Sequence, residues 1–584
     1  MGASLKKTAP EVERRDSNES MPLWRVRLVL IVVLLFLSGL GYRLVYLQIS
    51  EQEFLKAQGD MRMVRTEVDP SHRGLISDRN GEPLAVSTPV ESIWINPKYF
   101  PSLEELDLPA LANLLDLREV ALKKKLKAAK GRQFVYLKRQ MPPELAAKVL
   151  ELGIKGLYSQ REYKRYYPAG EVTSHLIGFT NVNDEGQEGI ELAFNDWLTG
   201  ESGSRTVIKD LQGRVIRHIK QDSESKDGRD LVLSIDLRLQ YLAYKALKEA
   251  VIKHRAESGS AVVMDVKTGE VLAMVNQPSY NPNDRSRLKV NSLRNRAVTD
   301  SFEPGSTIKA FTVATALTSG RYAASTKVNT SPGFIRVGRK TIRDHANYGK
   351  LDLTGIIKKS SNVGTTKLAQ DLGSDLIWST LFRAGFGQAP GTGFPGEGNG
   401  VLPMQREFRP IELATLSYGY GLSATPLQLA NAYTSFGNNG YRPEVTLLAR
   451  SEQGLGDIRK EQVMPERVAA QLLQMLETVT QKGGTAKRAA VPFYRVGGKT
   501  GTVHKVGRDG YQDDKYVAYF AGLAPISEPQ YSVVVTINGP SGDRYYGGEV
   551  AAPVFSEIIS AAMRLNNIAP DALDRMSLIG KRDG

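Results

Sequence analysis

The chain has no cysteine among its 584 residues. Disulfides, thiolate metal ligands and cysteine nucleophiles are thereby excluded. Histidine is scarce, and His175, His254, His345 and His504 are too dispersed to argue for a metal; they read as solvated or structural side chains. No internal repeat and no long low-complexity tract occurs. The formal charge is +14, yet no basic helix, zinc pattern or stacking motif accompanies it. Nucleic acid is therefore not an expected partner, and the charge fits a protein working near an anionic membrane surface. The Asp and Glu pairs show no glycosidase context. Neither a metal nor a cofactor is expected. With 41% hydrophobic residues the composition is that of a folded protein, and the length allows two or three domains.

One long apolar run is present, Val26 to Leu47. As a helix its roughly 22 residues would span ~33 Å, the thickness of a bilayer core. Arg27 and Arg43 lie near its ends, where long side chains can snorkel to headgroups. Lys6, Lys7, Arg14, Arg15 and Arg25 precede it, which places the tail in the cytoplasm and exports the rest. No small-residue cleavage site follows, so the run reads as an uncleaved anchor.

Residues 1–25 read as a polar cytoplasmic tail, 26–47 as the transmembrane helix, 60–227 as a first exported domain, 228–567 as a second and 568–584 as a C-terminal tail. In the first domain Ser92–Ile95 reads as a short strand and the stretch from about Leu103 to Leu152 as helical. The polar segment Gln221–Asp230 reads as a linker. Leu231–Ile235 then reads as a strand, Asp236 opens a helix, and Ala261–Met264 and Val271–Val275 read as strands joined by a turn. Trp94 and Trp197 read as packing residues.

S-x-x-K, S-x-N and K-T-G, in that order, form the active-site set of one class of serine acyl-transfer enzymes. Each is weak alone. S-x-x-K occurs at Ser4, Ser223, Ser286 and Ser306, S-x-N at Ser279 and Ser360, and K-T-G at Lys267 and Lys499. Ser4 lies in the tail, Ser223 in the linker, and Ser286 in a charged stretch without apolar periodicity. Ser306 follows Pro304-Gly305 and precedes Ile308, Ala310, Phe311, Val313 and Ala314, a turn feeding a buried helix. A serine on a first helical turn lies beside free backbone N–H groups that can stabilise an oxyanion. Lys309 shares its face. Ser279 and Lys267 precede Ser306, against the class order. Ser306/Lys309, Ser360/Asn362 and Lys499-Thr500-Gly501 alone satisfy order, spacing and context.

The chain also carries Arg73–Gly81, Arg165–Gly170 and Gly186–Glu191, which resemble the signatures of the pedestal domain of class B penicillin-binding proteins. Phe302–Lys309, Lys359–Gly364, Ser417–Gly421 and Tyr545–Gly548 are similar to the division-specific FtsI type of that family. The resemblance covers about residues 25 to 567. Ala310 stands where the family often has proline, and Val503-His504 where it has Ala-Lys. These flank the site and bear on inhibitor affinity and substrate tuning.

The resemblance implies a multidomain α+β protein. A single N-terminal transmembrane helix would carry an elongated α/β pedestal (dimerisation) domain and a β-lactamase-like transpeptidase domain, an antiparallel sheet flanked by helices with K-T-G on its edge. It implies that Ser306 attacks the carbonyl between two terminal D-alanines, with Lys309 as general base and Ser360 as proton relay. Asn362 would hold the donor amide. Thr500 and Thr502, with Lys499 behind, would bind the terminal carboxylate. Gly501 would keep the strand edge bare, the backbone N–H groups of Ser306 and Thr502 would form the oxyanion hole, and Tyr420 is a possible aromatic wall. The implied partners are peptidoglycan stem peptides on nascent glycan strands, an FtsW-type lipid II polymerase and other division proteins, the membrane, and β-lactams as covalent inhibitors. The location implied is the inner membrane at the septum, with a periplasmic catalytic domain. A hydrolytic β-lactamase or carboxypeptidase would need a deacylating Glu motif that is not found. A sensor would need a cytoplasmic effector or several spans, and Ser417–Gly421 favours division over side-wall elongation.

Overall fold

The computed structural model describes residues 22–209, 215–404, 408–507 and 510–572. Most of the two expected tails, with Lys6, Lys7, Arg14 and Arg15, lies outside the described residues. The chain forms two compact units. The smaller contains the helix Leu23–Val45, which runs on through a π turn at Tyr46–Ser50. It begins three residues before the expected span, its apolar side chains are exposed along its length, and it is long and apolar enough to cross a membrane. A helix Gln52–Met63 follows. Strands Val64–Asp69, Gly203–Lys209 and Val215–Ser223 then make a three-stranded sheet with Gly203–Lys209 in the middle.

In the larger unit the pedestal segment is built on the 13-residue strand Pro83–Ile95, which pairs antiparallel with Val135–Met141 and Leu157–Tyr166. Of it, only the last four residues, Ser92–Ile95, read as strand in the sequence. Pro89 is tolerated because Val135–Met141 does not reach it, so no second ladder needs its missing N–H. The expected helical stretch 103–152 is instead three helices, Leu108–Leu114, Glu119–Ala128 and Pro143–Glu151, with the strand Val135–Met141 between them. Asp107 caps the first helix, and Gly131 at φ +83° turns the chain after the second. Ile93, Leu111, Leu122, Leu137 and Val149 close a small separate core, and Trp94 stacks between Phe134 and Tyr158 with ring centroids 4.5 and 4.6 Å away.

The segment 221–230 is not a free linker. Its start belongs to the strand Val215–Ser223, Gly228 N–H donates to His72 O and Asp230 accepts from Leu75 N–H, and Leu231–Val232 pairs parallel with Ile76–Ser77. The strand expected over Leu231–Ile235 shrinks to those two residues and a bridge from Leu233 to Leu448. Behind this seam lies a buried charge cluster. Glu191 accepts from Arg73 Nε at 2.8 Å and from Arg165 Nε at 2.6 Å, and Arg73 also donates to Asn195, Thr199 and two backbone carbonyls.

The rest of the larger unit holds a five-stranded antiparallel sheet. Its order is Val271–Gln277, Ser258–Asp265, Tyr531–Asn538, Gly510–Ala524 and Gly497–Gly507. The first three strands are nearly unbroken apolar runs, buried throughout apart from Asp265, as strands covered on both faces should be. The helix Leu237–Lys253, capped by Asp236, packs with Ala552–Leu565 against this sheet; Lys309–Thr318, Pro426–Gly437 and Glu466–Thr480 pack together and supply a second group of covering helices. Lys267–Gly269 forms the turn of the first hairpin. Lys499–Gly501 lies inside the edge strand Gly497–Gly507 itself.

Candidate active site

Ser306 lies in a 3₁₀ turn, Gly305–Ile308, that leads into the helix Lys309–Thr318. Thr307 Oγ1 donates to Pro304 O at 2.8 Å and Tyr433 OH to Thr307 O at 2.8 Å, which fixes the turn from both sides. Gly305 adopts φ +56°, and a Cβ there would lie 2.5 Å from Val503 Cγ1. The turn therefore packs directly on the edge strand, and the valine that departs from the family pattern fills the space over the glycine. Gly501 serves the same close packing. Its Cβ would meet Pro304 O at 2.9 Å, so this glycine admits the nucleophile turn.

Lys309 is fully buried. Its Nζ donates to Ser360 O at 2.6 Å, Ser360 Oγ at 3.1 Å and Asn362 Oδ1 at 2.6 Å. The three donors of an ammonium are thus all used, and among the described residues no hydrogen bond reaches Ser306 Oγ. Asn362 is also committed within the protein, since its Nδ2 donates to Arg343 O at 3.0 Å. Its carbonyl end faces Lys309 and its amino end the hairpin carbonyl of Arg343.

Ser360 ends the helix Leu353–Lys359 in the left-handed region, φ +57° and ψ +45°. A non-glycine residue pays roughly 1 kcal/mol for this conformation, which turns both its hydroxyl and its carbonyl toward Lys309. The neighbouring Ser361 does a different task. It caps the helix Asn362–Leu372 through Gly364 N–H and donates to Asp344 Oδ2 at 2.6 Å, while Asp344 Oδ1 accepts from Val363 N–H.

Lys499, also fully buried, donates to Ser360 Oγ at 3.0 Å and to Thr500 O at 3.3 Å. Two lysine ammoniums therefore converge on one hydroxyl. Burial pushes Lys499 down to about 7. Burial and then the Lys499 charge push Lys309 well below the ordinary lysine value, against a smaller opposing pull from Asp344. Both causes disfavour the charged form. Both amines are thus brought toward neutrality, where an ordinary lysine stays protonated.

Ser306, Ser360, Thr500, Thr502 and Tyr420 line one cleft of about 510 Å³. Thr500 Oγ1 is 3.0 Å from Thr485 Oγ1, and Thr502 Oγ1 accepts from Gly547 N–H at 3.0 Å. The structure also brings in residues that sequence reasoning set aside. His345 and His504, discounted as solvated or structural, line the cleft, with Tyr516, Tyr545 and Tyr546. His504 lies against Tyr516, which stacks on Tyr545 at 4.1 Å. The one signal for this wall was Tyr545–Gly548.

The chain matches the penicillin binding protein transpeptidase domain over residues 259–560 and the penicillin-binding protein dimerisation domain over 68–233. It is 44% identical to the Escherichia coli peptidoglycan D,D-transpeptidase FtsI over 579 residues, 98% of this chain and 97% of that one. It is 43% identical to the probable peptidoglycan D,D-transpeptidase PbpC of Pseudomonas aeruginosa over 95% of this chain and 98% of that one. Among solved structures it is similar to penicillin-binding protein 3 of Mycobacterium tuberculosis in complex with aztreonam, with TM-score 0.67 and 26% identity over 86% of this chain and 98% of that one. The same holds for the transpeptidase domain of Burkholderia pseudomallei penicillin-binding protein 3, with TM-score 0.54 and 41% identity over 58% of this chain and 97% of that domain. A buried lysine pair meeting at a serine, in a chain that aligns almost end to end with FtsI, leaves one assignment: this protein belongs to the class B penicillin-binding proteins of the FtsI type.

Proposed function

We propose that the protein is a membrane-anchored peptidoglycan D,D-transpeptidase that cross-links stem peptides through an acyl-Ser306 intermediate during septal wall synthesis. The observation that carries this reading is the convergence of buried Lys309 and Lys499 on Ser360 beside Ser306. A serine hydroxyl needs a base, and a lysine serves only if its proton can leave near neutrality.

Neutral Lys309 takes the Ser306 proton as Oγ bonds to the penultimate D-Ala carbonyl. The Ser306 and Thr502 N–H groups hold the oxyanion, a contribution of ~3 kcal/mol per donor. The C–N bond then breaks, and the proton passes through Ser360 to the leaving D-alanine. Thr500, Thr502 and Lys499 hold its carboxylate, and Tyr420 walls the cleft. An acceptor amine next attacks the ester, forms the cross-link and returns a proton to Ser306. A β-lactam follows the first half and stays attached. The anchor helix tethers the enzyme to the membrane. The cationic N-terminal tail supports a cytoplasmic N-terminus and a periplasmic catalytic domain, and the similarity to FtsI supports an FtsW-type polymerase as neighbour at the septum.

Intact mass after incubation with a penicillin tests the assignment. Wild type gains one adduct and Ser306→Ala gains none; an adduct on the variant overturns it. Rapid release of hydrolysed penicillin would instead identify a hydrolase.

A further inference from the structure

We propose that the outward face of the hairpin Phe334–Arg343 is a binding surface for the carboxylate-bearing stem peptide of the acceptor strand. This rests on the transpeptidase reading and adds the recognition of its second substrate.

The first observation is position. Arg343 O accepts from Asn362 Nδ2, so the hairpin is tied to the residue that orients Lys309. Two residues later His345 lines the cleft together with Ser306. The second is packing. Ile335, Val337 and Ile342 turn inward onto Ala414, Tyr418 and Tyr420, which makes the hairpin a fixed extension of the Tyr420 wall. The register places Phe334 opposite Arg343 and Arg336 opposite Thr341, and these four residues, exposed, form the outward face. Arg339 and Lys340 extend it at the turn.

The third observation is charge. Arg336, Arg339, Lys340 and Arg343 are exposed, and none forms an ion pair among the described residues. Asp344, the carboxylate next in sequence, is spent on Ser361 and Val363. The Arg343 guanidinium lies 5.4 Å over the Phe334 ring, which holds it flat on the outward face. Four cations on ten residues, without a carboxylate and fastened to a catalytic wall, are complementary to a polycarboxylate ligand. The K-T-G strand already serves the donor's terminal carboxylate. The hairpin abuts the other wall, that of Ser360 and Asn362, and this side is left for the acceptor. A cationic surface also disfavours the ammonium form of an approaching amine, which is what aminolysis of the ester requires.

The test uses the full chain in detergent and the variant Arg336→Glu/Arg339→Glu/Lys340→Glu, which spares every residue placed in the cleft. Fluorescence anisotropy measures binding of a labelled acidic stem peptide, and of its fully amidated form, to the penicillin-acylated protein. Wild type should bind the acidic peptide more tightly, with an affinity that falls as salt rises. The variant should lose about tenfold for the acidic peptide and nothing for the amidated one. Its rate of acylation by penicillin, which reports an intact fold and site, should be unchanged. Equal affinity of variant and wild type for the acidic peptide overturns the proposal, and so does an equal loss for both peptides. Failure of wild type to be acylated at Ser306 would instead overturn the transpeptidase reading, while the comparison of the two peptides on unacylated protein would still decide the surface.

Discussion

The molecule buries charge in two places and treats it in opposite ways. In the pedestal, Arg73 and Arg165 share Glu191; Arg73 also donates to carbonyls, an amide and a hydroxyl and Arg165 to Ser87, while Arg165 Nη2 is buried without a hydrogen bond. Opposite charges in contact there act as a structural clamp. In the cleft, Lys309 and Lys499 are buried with a hydroxyl between them and, among the described residues, no carboxylate in contact with either ammonium. Like charges in a poorly solvated place cannot both keep their protons. The pedestal cluster exchanges desolvation for order; the lysine pair exchanges stability for a labile proton. A buried charge is thus read by its partner, and its depth alone says little.

The contrast can be broken by substitution, beginning with the largest effect. Lys309→Ala should slow acylation by penicillin ~10³-fold or more while the protein stays folded. Second-order acylation rates measure this; a loss of under tenfold would mean another group is the base. Glu191→Ala strands two buried guanidinium groups and should lower stability by about 3–5 kcal/mol, read as a large fall in melting temperature. Acylation of whatever remains folded should proceed at the normal rate.

Lys499→Met should do the reverse, stabilising the fold while impairing catalysis. Its folded pKa, about 7, lies below the unfolded value. The unfolded state therefore binds the extra proton between the two, and the penalty of charging the buried amine is complete below about 7 and gone above the unfolded pKa of ~10.4. The gain from methionine should thus be a few kcal/mol near pH 6 and vanish toward pH ~11, as thermal melts across that range would show. A destabilised variant at low pH would contradict this account of the pair. The smallest effect is in the pH profile of wild-type acylation. The rate should rise as Lys309 loses its proton and fall as Lys499 loses the charge that holds the carboxylate, giving a maximum near neutrality whose limbs belong to the pair. A rate that climbs unbroken to pH ~10 would dismiss the coupled lysines.

The candidate site residues are legible as motifs because each motif is encoded at short range. Three positions separate Ser306 from Lys309, two separate Ser360 from Asn362, and Lys499 to Gly501 are consecutive, so each set survives in the linear text. Their joining was not legible in detail. Nothing in the motif says that both ends of Asn362 are taken, or that Gly501 faces Pro304. His345 and His504 looked scattered, and 159 positions of sequence separate two side chains that line one cleft. In the pedestal the helical composition of 103–152 concealed the strand Val135–Met141, since a strand that pairs with residues 40 to 50 positions away leaves little local trace.

By itself, then, the sequence determined which groups could react and that they lie beyond a membrane anchor, because spacing, order and an apolar run are local properties. It also carried Arg73, Arg165 and Glu191 as ends of three separate motifs. Only the tertiary structure decided that those three meet in one buried cluster and that Lys309 and Lys499 meet at Ser360. The physical reason is that desolvation and charge–charge coupling depend on distance in space, and folding alone sets which of two buried charges is compensated and which is left poised to move a proton.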